Sequence, residues 1–250
     1  MKQRCKALIT ELTKASKTLI EGAKSDAKRA ASDYVEKEFE TASTGTSKVK
    51  KIKLEVEIGS HGTGLQMFWS QTHGCLISEW HSFLTRVFEE LVDYYLKNNK
   101  NEIVAKGLDI YLKDADFSTL PRLRNSISEV LVEKYASKKY PDRINRLKNI
   151  LEINSTALEH EPGKLKEIDK LTAILQKHVA VRNCLEHADS KVRIRDLNAA
   201  GCGGKEIPLI NADGTEHKFV EGEVIVVSDK DVVELKKTIL KFINYFEVKL

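Results

Sequence analysis

Apolar residues return at three- and four-residue steps from Cys5 to Tyr34, through Leu8, Leu12, Ala15, Leu19, Ala23, Ala27 and Ala30. That period predicts one long amphipathic helix over residues 1–40. The stripe is narrow and rich in alanine, so it should lie along a partner helix or the body of the domain. Thr41–Ser47 is a polar break. Ile52, Leu54, Val56 and Ile58 then alternate with Lys53, Glu55 and Glu57, the period-two pattern of a strand. Gly59–Leu65 is glycine-rich but has neither P-loop nor G-x-G-x-x-G spacing, and it reads as a flexible turn. From Cys75 to Lys97 the chain carries its strongest apolar face: Leu76, Trp80, Phe83, Leu84, Val87, Phe88, Leu91 and Tyr95. This predicts a core helix.

Ser118 and Pro121 open a further helix carrying Leu123, Ile127, Val130 and Leu131, and Pro141 starts a short one through Ile144, Leu147, Ile150 and Leu151. After Pro162–Gly163, a helix is expected from about Lys164 to His187. Strand and turn character follows at Val192 and Ile194, in the GCGG run at 201–204, at Asn211–Gly214 and at Val224–Val227. The last helix should start at Ser228, with Asp231 as its capping-box partner, and run through Val232, Leu235, Ile239, Phe242, Ile243 and Phe246. The fold class expected is mainly α: a helical bundle with a small β element at about 190–227, inserted before the C-terminal helix. Residues 1–60 form an N-terminal helix and strand extension, and 61–250 the main helical domain.

Composition narrows the classes without naming one. Hydrophobic residues are 41% and charged residues 31%, the balance of a globular chain able to bury a core. The net charge of +4 is a small difference between 41 basic and 37 acidic residues. It permits a nucleic-acid partner without indicating one. Cys5, Cys75, Cys184 and Cys202 are too scattered for a local zinc site or a dense disulfide framework. The pairs His61/His73 and His73/His81 lack a third ligand at suitable spacing, so neither a metal nor a cofactor is expected. There is no signal-like apolar core at the N-terminus and no run long enough to span a membrane, which together predict a cytoplasmic protein.

One position breaks the pattern. On the 164–187 helix, Ile168, Leu171, Leu175 and Val179 define a buried stripe, and Arg182 falls near its middle. A guanidinium does not lose its charge, so this position needs compensation. Glu186, one turn later, can supply an i,i+4 ion pair.

The run Val181-Arg182-Asn183-Cys184-Leu185-Glu186-His187 resembles the R-x4-H signature of HEPN domains, including the polar residue directly after the arginine. Its setting matches as well: the end of a long amphipathic helix, followed by a turn, a β-like insertion and a closing helix. The resemblance spans about residues 75–250. It implies a homodimeric, metal-independent endoribonuclease in which the motifs of two subunits face each other across one composite site. Arg182 and His187 would be the catalytic pair. Many members are toxins opposed by an antitoxin, or abortive-infection and antiviral effectors, so such a partner protein is expected too. In members silenced by a nucleotidyltransferase, a tyrosine lies two residues after the histidine. Asp189 stands there here, so that control is not expected.

RNA carries its own nucleophile, the 2′-hydroxyl. A histidine suits the proton transfers, and a planar guanidinium suits the charged phosphoryl oxygens. Asn183, four residues before His187, either orients the imidazole or touches the substrate phosphate, or is a plain exposed helix residue. Glu186 is expected to hold Arg182. His178 either lines the same cleft or is a core or interface histidine. Two rival readings remain: a catalytically inactive HEPN-like dimerisation or regulatory module that binds a protein partner, and a helical interaction protein in which the motif is accidental.

Overall fold

The heaviest apolar face of the sequence becomes the buried face of a helix. In a computed structural model, which describes residues 2–41, 63–98, 121–150, 162–187 and 190–249, Leu76, Trp80, Leu84, Val87 and Phe88 are fully buried along α2 (Thr63–Lys97). The helix starts twelve residues earlier than expected. The end of the supposed glycine-rich turn, from Thr63, belongs to its first turn. The strand expected at 52–58 and Gly59–Gly62 lie outside the described residues.

The chain is mainly helical, with seven helices and one two-stranded sheet among the described residues. α1 covers Lys2–Thr41. Cys5, Leu8, Leu12, Ala23 and Ala27 are buried as expected, but midway the seam runs through Ser16 and Ile20 rather than Ala15 and Leu19. Cys5, Ser16 and Ala27 are each eleven residues apart, close to three full helical turns, so geometry carries small Ser16 onto the seam. Ala30 and Tyr34 belong to the helix, but their side chains lie outside the description.

α3 (Pro121–Ala136) and α4 (Tyr140–Ile150) each hold a proline in the first turn, where its missing N–H has no helical partner to lose. Leu131, Ile144 and Leu147 are buried, whereas Val130, expected on the same face, is 45% exposed. α5 is Pro162–His187.

Beyond it, Ile194 does not extend a strand. It opens a six-residue helix, α6 (Ile194–Ala199), because Asp196 reaches back to accept the Arg193 backbone N–H at 3.3 Å and its guanidinium at 2.6 and 3.1 Å. The strands are β1 (Ile207–Ile210) and β2 (Glu216–Phe219), antiparallel, with Ile207 opposite Phe219 and Ile210 opposite Glu216. Asn211–Gly214 forms the turn between them. There Gly214 sits at φ 96°, a left-handed conformation that suits glycine. Val224, read as the start of a strand, makes a single bridge to Lys191.

α7 (Asp229–Lys249) begins as the sequence indicates. Ser228 N–H donates to Asp231 Oδ2 at 3.0 Å and Asp231 N–H donates to Ser228 Oγ at 3.2 Å, a reciprocal capping box. Asp231 Oδ1 also takes the Ile210 N–H at 2.7 Å, tying the hairpin to the start of this helix.

The chain divides into two compact units. The first comprises residues 1–13, 79–174 and 239–250, with Trp80, Phe88, Tyr135 and Phe242 in its core. The second comprises 14–78 and 175–238, and its core includes His73, Leu175, Val181, Cys184, Ile207 and Leu235. No helix among the described residues is long and apolar enough to cross a membrane.

Candidate functional site

The motif occupies the end of α5, within the second unit. Every residue from Lys177 to Val181 is buried, so the helix is enclosed on all sides there. Enclosure ends one residue later. Arg182 and Asn183 are half-buried and Glu186 is exposed, while Cys184 remains at 0% exposure. The expected placement of Arg182 at the centre of a buried stripe is therefore only partly met, since its side chain keeps 27% of its surface. The face carrying Cys184 is covered instead. Its thiol lies beside Asp196 of α6, and burial, reinforced by that carboxylate, pushes its pKa up to about 12. Such a thiol stays protonated and is no nucleophile.

Arg182 Nε donates to Glu186 Oε1 at 2.7 Å. The Glu186 oxygen reaches across to α2 at Gly74, where a Cβ would stand 4.0 Å from it. Because the ion pair uses Nε, the two terminal Nη groups have no bond among the described residues. Asn183 follows on the adjoining surface. His187 is the last helical residue, and its side chain lies outside the description, as does Asp189. The helix persists to His187, so Arg182 and His187 leave its axis about 140° apart. Arg182 and Glu186 are thus brought together, and the backbone positions of Arg182 and His187 stand on different faces of the helix.

His178 turns inward. It is fully buried, with Nε2 3.3 Å from Glu234 Oε2 and Nδ1 3.0 Å from Nε2 of His73 on α2. These contacts determine the protons. A carboxylate accepts, so His178 carries its proton on Nε2 and offers a lone pair at Nδ1. His73 must then donate from Nε2, which leaves its buried Nδ1 as an acceptor with no partner among the described residues. Lys177 Nζ donates to the same Glu234 oxygen at 3.0 Å. The hydrogen bond from His178, with Lys177 beside it, holds the Glu234 carboxyl down to about 2. Burial pulls both histidines below their ordinary value, His73 strongly, with His178 and Lys177 adding to the effect there. His178 is therefore a neutral core histidine rather than a residue lining a cleft.

From the sequence His73 was weighed only as a metal ligand, and Lys177 and Glu234 were not singled out. His73 carried a signal, because it sits one turn before Leu76 and Ile77 on the same apolar face. Glu234 carried none, since a carboxylate flanking Leu235 on an amphipathic helix is ordinary. Among the described residues, no group of three or more His, Cys, Asp or Glu side chains could hold a metal ion. No protein-family model, curated protein or solved structure matches this chain.

Proposed function

We propose that the chain is a HEPN-type endoribonuclease, acting as a toxin or antiviral effector, in which Arg182 and His187 cut RNA without a metal ion. The observation that carries this reading is the state of Arg182. A guanidinium at the rim of an enclosed helix is held through Nε by Glu186, and among the described residues neither Nη group has a bond, which suits a phosphoryl group as their partner. The residues around it follow the R-x4-H order, at the end of a long helix, before a β hairpin and a closing helix.

The reaction needs only a proton acceptor, a proton donor and a cation. One His187 takes the proton of the 2′-hydroxyl, and the 2′-oxygen bonds to phosphorus. The P–O5′ bond breaks and the leaving 5′-oxygen receives a proton from a second imidazole. Arg182 binds the non-bridging oxygens as their charge grows. Asn183 orients the imidazole or the phosphate. With Arg182 and His187 about 140° apart on one helix, the site is composite, built from two copies of the chain around a two-fold axis.

The Arg182–Glu186 bond also favours a second reading, a HEPN-like regulatory or dimerisation module in which the arginine is satisfied structurally. End-group analysis separates the two. The nuclease reading expects 2′,3′-cyclic phosphate and 5′-hydroxyl ends from RNA in the presence of EDTA, and no cutting where a 2′-deoxynucleotide precedes the scissile bond. Absence of cleavage across a broad RNA pool supports the module. Ends bearing a 5′-phosphate overturn the mechanism.

A further inference from the structure

Two imidazoles meet inside the second unit, with Nε2 of His73 on α2 set 3.0 Å from Nδ1 of His178 on α5. Both residues are fully buried. Their rings are tilted 47° to each other, so the contact is an N–H···N hydrogen bond and not ring stacking. A bond of this kind holds one hydrogen. Because Glu234 accepts from Nε2 of His178, that hydrogen belongs to His73 and the facing lone pair to His178. The basic lone pair left on the two rings is then Nδ1 of His73. Among the described residues, the charged groups acting on the rings are Lys177 of α5 and Glu234 and Asp231 of α7. The two carboxylates favour a positive His178, Lys177 opposes one, and α2 contributes His73 itself. A charge on one ring opposes a charge on the other.

A first proton from solvent enters without breaking this contact. It adds to Nδ1 of His73, and Nε2–H then makes a charge-assisted bond to His178. If the central hydrogen passes to Nδ1 of His178, the charge moves to the ring that Glu234 already holds. His73 is then neutral, with its hydrogen on Nδ1 and its lone pair at Nε2. Either way one hydrogen lies between the rings. The buried charge costs stability, but α2 and α5 stay joined. A second proton has no such arrangement. Each facing nitrogen would carry a hydrogen, and two N–H groups would point at each other across 3.0 Å, with a positive charge behind each. In a close-packed interior the rings have no slack to turn aside, so the helices must part.

We propose that His73 and His178 form a one-proton acid switch. The pair takes up one proton as a unit while α2 and α5 remain joined, and a second proton separates them. His178 lies one turn before Arg182 on α5, but the switch does not depend on the nuclease reading.

The test is nitrogen-15 NMR of the histidine rings in the full chain, from mildly alkaline pH down into the acid range. Scalar coupling across the N–H···N bond identifies the two rings without a substitution. At the alkaline end both rings should carry hydrogen on Nε2. On acidification the nitrogens of both should shift together through one midpoint below 6.5, with the coupling kept and one proton taken up by the pair. The second proton should enter only as the coupling and the native spectrum are lost. His73→Gln is titrated beside the wild type, because its amide donates to Nδ1 of His178 or, flipped, accepts from it, and takes no proton itself. In that chain His178 should become fully charged while the native spectrum persists. If His73→Gln does not fold, the wild-type titration decides. Two independent midpoints, hydrogen on Nδ1 of either ring at the alkaline end, or two charged rings in a native wild-type spectrum overturn the proposal. So does a folded His73→Gln chain that loses its native spectrum as His178 is charged.

Discussion

Arg182 and Glu186 stand one turn apart on α5, joined by a 2.7 Å bond from Nε, with 27% and 37% of their side-chain surfaces exposed. The order is cation first and acid second, the less favourable arrangement for an i,i+4 helix pair. At this exposure the pair is worth about 0.5 kcal/mol or less. Stability alone therefore gives little reason for an arginine where the helix leaves its enclosed stretch.

Glu186→Gln should accordingly lower folding stability by under about 1 kcal/mol, read from urea unfolding. RNA cleavage should fall by more than that small change implies, because the guanidinium loses its orienting carboxylate. A loss above about 2 kcal/mol with cleavage intact would make the pair a structural element and nothing more.

Acid should destabilise the second unit through three groups, His73, His178 and Glu234, whose shifts act in the same direction. His73 and His178 are held below the free value of 6.5, so their neutral forms support the fold fully above that pH, and the support is lost as pH falls through the lowered values. Glu234 is held to about 2 against a free value of 4.5, so its contribution is present above 4.5 and is lost as pH drops toward 2. Melting temperature should fall steadily on acidification from pH 7. Glu234→Gln should remove about 2 kcal/mol at neutral pH by stripping buried Lys177 of its carboxylate, and should flatten the slope between pH 4.5 and 2. An unchanged slope would show that Glu234 does not carry the acid sensitivity.

The helices of this chain were legible because their signals are local. The Ser228–Asp231 cap and the apolar steps of α2 need only a few residues of sequence to be seen. The hairpin strands escaped because they are four residues each, β1 contains Pro208, and β2 buries only Phe219 and so shows no alternation. Ile194 was misplaced because a β-branched residue favours strands, and the side chain that overrides this, Asp196, acts through a cap. The burial of Arg182 was overstated because helical periodicity extends a stripe beyond the point where its cover ends. His178 could be singled out but not its partners, which lie 105 residues before it and 56 after it. No helical period links positions so far apart.

Specific activity should depend on protein concentration. A composite site requires two chains, so dilution through the dimer dissociation constant should reduce turnover per chain in step with the loss of dimer seen by light scattering. Constant specific activity in a solution shown to be monomeric would contradict the two-chain site.

The central claim is that Arg182 and His187 perform the cleavage, and one measurement addresses it most directly. Single-turnover cleavage of a defined RNA in EDTA is followed for the wild type, Arg182→Ala, Arg182→Lys and His187→Ala, with thermal melting of each chain alongside. All four should stay folded, with melting temperatures within a few degrees of one another, since the Arg182 ion pair is partly exposed and contributes little to stability. The wild type should cut, and Arg182→Ala and His187→Ala should lose at least about a hundredfold in rate, the scale of a missing proton-transfer or charge-stabilising group. Arg182→Lys should also fail, because a point charge does not reproduce a planar fork. Folded Arg182→Ala cutting at the wild-type rate would contradict the assignment.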